Sequence, residues 1–95
     1  MMMTVLEALV DPSRADDLMS EYRAGTSQLP PEIRTTFLVR DTRDARRYRI
    51  VTVWTSQAAL EAMRASGVTP KGVQIFQAVG ATPELSVYEV LVQQE

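Results

Sequence analysis

The stretch from Tyr48 to Leu60 constrains the fold of this 95-residue chain more than any other. Tyr48-Arg49-Ile50-Val51-Thr52-Val53-Trp54 is rich in β-branched and aromatic residues, which suit a half-buried pleated surface. Thr55-Ser56 then offers side-chain oxygens to the first amides of a helix, and Gln57-Ala58-Ala59-Leu60 begins an Ala/Leu-rich helical run. The only tryptophan is thereby fixed where a strand hands over to a helix, at the edge of the core. A large aromatic at such a corner is placed to form a pocket wall.

The remaining segments extend this pattern in both directions. Thr4 to Val10 is apolar apart from Glu7 and reads as a strand. Asp11-Pro12 starts a helix, because Asp accepts free backbone N–H groups and Pro suits the first turn. Ala15, Leu18, Met19 and Tyr22 recur at helical spacing, and Gly25 is the expected stop. Pro30-Pro31 cannot continue a helix. Ile33 to Arg40 alternates, with Ile33, Thr35, Phe37 and Val39 on one side. Asp41 to Arg47 is a polar turn, so the strands on either side form an antiparallel hairpin. The second helix buries Ala59, Leu60 and Met63 and stops at Gly67. Thr69-Pro70 starts a further short helical turn through Val73 and Phe76, weakened by Gly72. Leu85 to Val92 is the last strand. The order β-α-β-β-α-β over a single domain, residues 1–95, predicts an α+β fold: a ferredoxin-like antiparallel sheet with both helices on one face.

The strands themselves imply a partner. A sheet covered on one face should alternate apolar and polar residues. Here Val51 and Val53 oppose Ile50 and Trp54, while Leu6, Ala8 and Val10 oppose Val5 and Leu9. One face would be left apolar in water, which a monomer rarely tolerates. The expectation is a homodimer joined through the open sheet face.

Other classes are excluded by composition. With no cysteine there is no disulfide or thiolate, and with no histidine the ordinary zinc, copper and proximal-His haem sites and the Ser-His-Asp and Cys-His nucleophiles are unavailable. No metal is expected. Arg43, Arg46, Arg47 and Arg49 cluster, but Asp41 and Asp44 lie among them and the formal net charge is −2, so no nucleic-acid surface is expected. No apolar run approaches the roughly 20 residues of a membrane span, and no signal-peptide pattern opens the chain. A cytoplasmic protein is the expectation.

With this order of elements and the corner Trp54-Thr55-Ser56-Gln57-Ala58-Ala59-Leu60-Glu61-Ala62, the chain resembles the antibiotic biosynthesis monooxygenase-like family. The resemblance rests chiefly on Trp54, Ser56, Ala59 and Leu60 and covers nearly the whole chain. It implies a dimeric α+β barrel. It also implies a cofactor-independent monooxygenase acting on a small phenolic, quinol or polyketide-like aromatic. The alternative is a non-catalytic small-ligand-binding or accessory homodimer of the same fold. Many members carry a histidine on the helix after the tryptophan; here that turn reads Glu61-Ala62-Met63-Arg64, so haem degradation is disfavoured and no cofactor is implied.

The residues expected to bind substrate are Trp54, Tyr48, Thr52, Tyr22, Met63 and Arg64. Trp54 shares strand parity with Tyr48, Ile50 and Thr52, and Tyr22, Met19 and Met63 are the helix residues expected to meet that wall. Trp54 would stack on aromatic rings. Tyr48, Tyr22 or Thr52 would orient a hydroxyl, with Thr35 a further candidate, and Arg64 would stabilise an anion. Glu7 and Glu61 would act as bases only if burial raised their pKa. No residue is singled out as a catalytic acid, base or nucleophile.

Overall fold

A computed structural model describes residues 1–95. Four strands, β1 (Met2–Leu9), β2 (Ile33–Arg40), β3 (Arg47–Trp54) and β4 (Glu84–Glu89), form one sheet in the order β2-β3-β1-β4. Every neighbouring pair is antiparallel. Helix α1 (Ala15–Gly25) joins β1 to β2, and two helices, α2 (Gln57–Ala65) and α3 (Lys71–Ala78), join β3 to β4. This is the ferredoxin-like α+β arrangement with one helix more than the sequence pattern suggested.

The extra helix carries much of the core. Lys71 to Ala78 reads in the sequence as one weak turn because Gly72 opposes helix formation. The glycine is needed at this place for close approach: a Cβ there would lie 2.6 Å from Leu6 Cδ1 of β1. Without a side chain at position 72, α3 settles onto the sheet and buries Ile75 and Phe76. The main cluster also takes in Leu6 and Ala8 from β1, Val10 just beyond its end, Leu18 from α1, and Tyr48 and Ile50 from β3.

Three other boundaries differ from expectation. A 3₁₀ turn over Pro12–Arg14, capped by Asp11, precedes α1. Gly25 lies inside the last turn of α1, and Thr26 is the C-cap, its hydroxyl donating to the Tyr22 carbonyl at 2.6 Å. Gly67, by contrast, ends the α2 region in the left-handed conformation, φ 74°. The last strand stops at Glu89, though Val90 N–H still donates to the Met1 carbonyl at 2.9 Å.

Register settles which side each residue faces. Leu6 is the Cα partner of Ile50, and Thr4 of Thr52, so these lie on the helix side. The opposite side is built in rows across the sheet. Thr35, Val53, Met3 and Tyr88 form one, and Phe37, Val51, Val5 and Ser86 the next. Val39, Arg49, Glu7 and Glu84 form a third. Phe37 and Tyr88 are each 53% exposed. The first two rows are largely apolar; the third is closed by charge, with Arg47 Nη1 3.1 Å from Glu7 Oε2 and Arg49 also bound to Glu7.

Ile33 departs from the simple alternation. The register shifts between Ile33 and Thr35, which inserts Arg34 as an extra residue. Ile33 therefore pairs with Trp54 on the helix side, away from Thr35, Phe37 and Val39.

Candidate functional site

On the helix side the sheet is filled at one end and hollow at the other. The hollow is a cleft of about 880 Å³. Its floor is the end of the sheet near Trp54, and its walls come from α2, α3 and the connector after α1. It exists because α2 reaches the sheet mainly through Leu60, the one fully buried residue of that helix. Ser56 sets the start of α2, accepting the Ala59 N–H at 3.0 Å from an extended backbone position.

Trp54 closes β3 and is 7% exposed. Its Nε1–H donates to Thr4 Oγ1 at 3.0 Å in a buried bond. The indole N–H is thereby used inside the protein, and the ring is what Trp54 offers the cleft. Thr4, Thr52 and Thr36 stand beside one another on β1, β3 and β2 and all line the cavity. Thr36 and Thr52 hydroxyls lie 3.3 Å apart, and Tyr22 O–H donates to Thr36 at 3.1 Å. Ile33, Ile50, Leu60 and Met63 supply apolar surface, and Arg64, Lys71 and Glu32 stand on its border.

Four of the six sequence-predicted binding residues are brought together here: Trp54, Thr52, Met63 and Arg64. Tyr48 and Tyr22 are placed elsewhere. Tyr48 is enclosed in the main core, in one cluster with Leu18 of α1 and Phe76 of α3. Tyr22 stands behind the threonines and lines a shallower groove with Met19 and Phe37; it reaches the cleft only through its bond to Thr36. Met19, expected to face Trp54, lies in that second groove and is 37% exposed.

Thr36 is the residue the sequence pattern missed. Thr35 belongs with Val53 on the open face, so the candidate hydroxyl on β2 is its neighbour. The alternation of Thr35, Phe37 and Val39 is real, but it marks the uncovered side. Glu7 faces that uncovered side as well, between Arg47 and Arg49, and Glu61 is exposed, accepting from Gln57 Nε2 at 3.0 Å.

The perturbed carboxylates lie away from the cleft. Asp11 is held below the ordinary carboxylate value by hydrogen bonds from Ser13, first from its hydroxyl and then from its amide. Asp41 is lowered chiefly by the Arg43 N–H, with the Asp44 amide and the Arg49 charge adding to it. Both shape turns. No group of three or more carboxylates that could hold a metal ion occurs, and no helix is long and apolar enough to cross a membrane.

Known structures share this architecture. A candidate antibiotic biosynthesis monooxygenase from Deinococcus radiodurans superposes with a TM-score of 0.74 at 15% identity, covering 100% of this chain and 97% of that one. A second, from Caulobacter crescentus, gives 0.70 at 18% identity over 96% and 91% of the two chains. A variant of SnoaB, a cofactor-independent oxygenase from Streptomyces nogalater, gives 0.63 at 16% identity over 97% and 95%. At these identities the likeness is one of fold. Comparison with curated proteins finds no significant match. The sequence itself matches the family profile named antibiotic biosynthesis monooxygenase over residues 1–78, from β1 to the end of α3. The chain therefore belongs to the antibiotic biosynthesis monooxygenase family.

Proposed function

We propose that this protein is a cofactor-independent monooxygenase that takes a small phenolic, quinol or polyketide-like aromatic into the cleft beside Trp54. The observation that carries the reading is the cleft: about 880 Å³, mainly apolar, with one indole ring and three threonine hydroxyls at its floor. That volume suits a ligand of drug-like size, and a few polar groups in an apolar cavity orient such a ligand. SnoaB, of the same fold, is a cofactor-independent oxygenase.

The chemistry asks little of the protein. A deprotonated, electron-rich ring can itself reduce dioxygen. One oxygen atom becomes a carbonyl at the ring carbon and the other leaves as water; the two hydrogens of that water come from the carbon itself where it is a CH2, or from its C–H and the phenolic O–H where it is aromatic. The protein supplies position, exclusion of water and stabilisation of the anion. In this reading Trp54 stacks on the rings, Thr52 orients the reacting oxygen, Met63 packs the far edge and Arg64 draws the anion toward the mouth. Tyr22 acts from behind the floor, and Tyr48 supports β3 from the core.

Oxygen consumption with a panel of anthrones and hydroquinones tests this. The expected result is turnover that depends on the protein and falls at least tenfold in Trp54→Ala. Uptake no faster than that variant's would instead favour the non-catalytic ligand-binding dimer, which the absence of histidine supports.

The same reading includes a homodimer joined through the uncovered sheet face. Its support is the two apolar rows that end at Glu7 and Arg49, since burying apolar area is worth roughly 25 cal/mol per Å². Sedimentation equilibrium at micromolar concentration should give twice the chain mass, and Val51→Asp should give the chain mass. A monomeric wild type would refute the dimer.

A further inference from the structure

The threonine floor has more hydrogens than the protein uses. Thr36, Thr52 and Thr4 are Cα partners in a line across β2, β3 and β1. The line is fed from both ends: Tyr22 O–H donates into Thr36, and Trp54 N–H donates into Thr4. Each threonine carries one hydroxyl hydrogen. Of the three, one is spent between Thr36 and Thr52, whichever of them donates. The other two have no protein acceptor, and the hydroxyls that bear them border the cleft.

Resting on the reading of the cleft as a phenol site, we propose that this row is a donor site for the anionic oxygen of a phenolate or enolate. Thr4 always keeps its hydrogen for the cleft, and the second comes from Thr52 or Thr36. Because each end already accepts a hydrogen from outside, the row is biased toward donating. It therefore favours a ligand oxygen that accepts over a neutral phenol that must donate. Hydrogen bonds to a charged oxygen are stronger than neutral ones, and bonds in series polarise one another. Held on three paired strands, the donors are fixed before the ligand arrives. Thr52 and Thr4 would touch the ligand. Thr36 and Tyr22 are positioning residues that set the direction of the chain, and Tyr22 does so from α1, outside the cleft.

The probe is a hydroxynaphthoquinone, whose visible absorption separates phenol from phenolate. Bound to the wild type, its pKa should fall below the value in water. Thr52→Val and Thr4→Val should each raise the bound pKa by about one unit, the size expected for loss of one charge-assisted bond. Tyr22→Phe should raise it by less, through a side chain that does not touch the probe. Thr52→Ser should restore the wild-type value, and Thr35→Val, on the opposite face, should leave it unchanged. Serine and phenylalanine variants keep the fold under test should a valine variant fail to fold. A bound pKa equal to that in water, an unchanged pKa in the valine and phenylalanine variants, or no saturable binding of the probe would each overturn the proposal. Oxygen uptake is read separately: a lowered pKa without uptake leaves the donor row standing and removes the oxygenase, whereas uptake with unshifted variants does the reverse.

Discussion

The two ends of the helix-covered face use the same strands and come to opposite results. At one end Leu6, Ala8 and Ile50 join Leu18, Ile75 and Phe76 in the main cluster, where Leu18 and Phe76 are 0% exposed and only the margin at Leu6, Ile50 and Ile75 borders the cleft. At the other end Thr4, Thr52 and Thr36 take the same sheet positions two residues further along, and α2 stands off above them. The difference lies in what the overlying helix presents. Helix α3 sets Gly72, its second residue, against Leu6 and fills the space with two large side chains. Helix α2 buries only Leu60. The filled end holds the fold, and the hollow end is free to bind.

That contrast can be broken most directly at the filled end. Phe76→Ala should cost about 3–5 kcal/mol, because a fully enclosed ring leaves a cavity that collapses only in part. Urea unfolding measures it. Trp54→Ala removes a larger ring, but one that borders a cleft already present, so the loss should lie at the low end of that range, about 3 kcal/mol. A larger loss at Trp54 than at Phe76 would mean that the hollow end is the structural one.

Gly72→Ala tests how α3 reaches the sheet. The added methyl would press on Leu6 Cδ1, a side-chain end that can turn aside. Overpacking costs typically about 1–3 kcal/mol, offset by up to about 1 kcal/mol of helix propensity. A net loss of roughly 1 kcal/mol is expected, together with weaker ligand binding, since Leu6 and Gly72 both border the cleft. A stabilised variant would show that α3 can shift freely.

The smallest effect concerns the hairpin tip beyond the filled end. Asp41 has its pKa lowered in the folded state, so the stability it contributes is present above its ordinary value of 3.8 and is lost as pH falls below it through the folded value. The Arg43 and Asp44 amides should lose their downfield shifts in that acid range, while Leu6 and Phe76 stay unchanged. Because the group is only partly covered and lies at the tip of a turn, global stability should barely move. Simultaneous loss of the core signals would contradict this.

How far the sequence reveals this depends on whether the signal is local. Trp54 at a strand end, Ser56 as a cap and Gly67 as a stop are each encoded within a few residues, and each holds. The order of strands follows from the short hairpin link and the helix between β1 and β2. Helix α3 was hidden because Gly72 is unfavourable in a helix; its reason, contact with Leu6, lies 66 positions away in the chain. Thr36 was hidden for a similar reason. Alternation groups Thr35 with Phe37 and Val39, but the insertion at Arg34 and the pairing with β3 decide which group faces the helices. Tyr48 shares its parity with Trp54, yet parity gives only the face and says nothing of which helix covers it.

If the hollow end receives an aromatic ligand against Trp54, the indole must sense it. Since Trp54 is the only tryptophan, its emission reports on that place alone. Titration of the native protein with a hydroxynaphthoquinone should quench the emission saturably, with one equivalent per chain, and Met63→Phe, which adds a ring to the cleft without adding a tryptophan, should weaken the saturable quenching. Quenching that rises linearly with added quinone, or that saturates equally well in Met63→Phe, would contradict this.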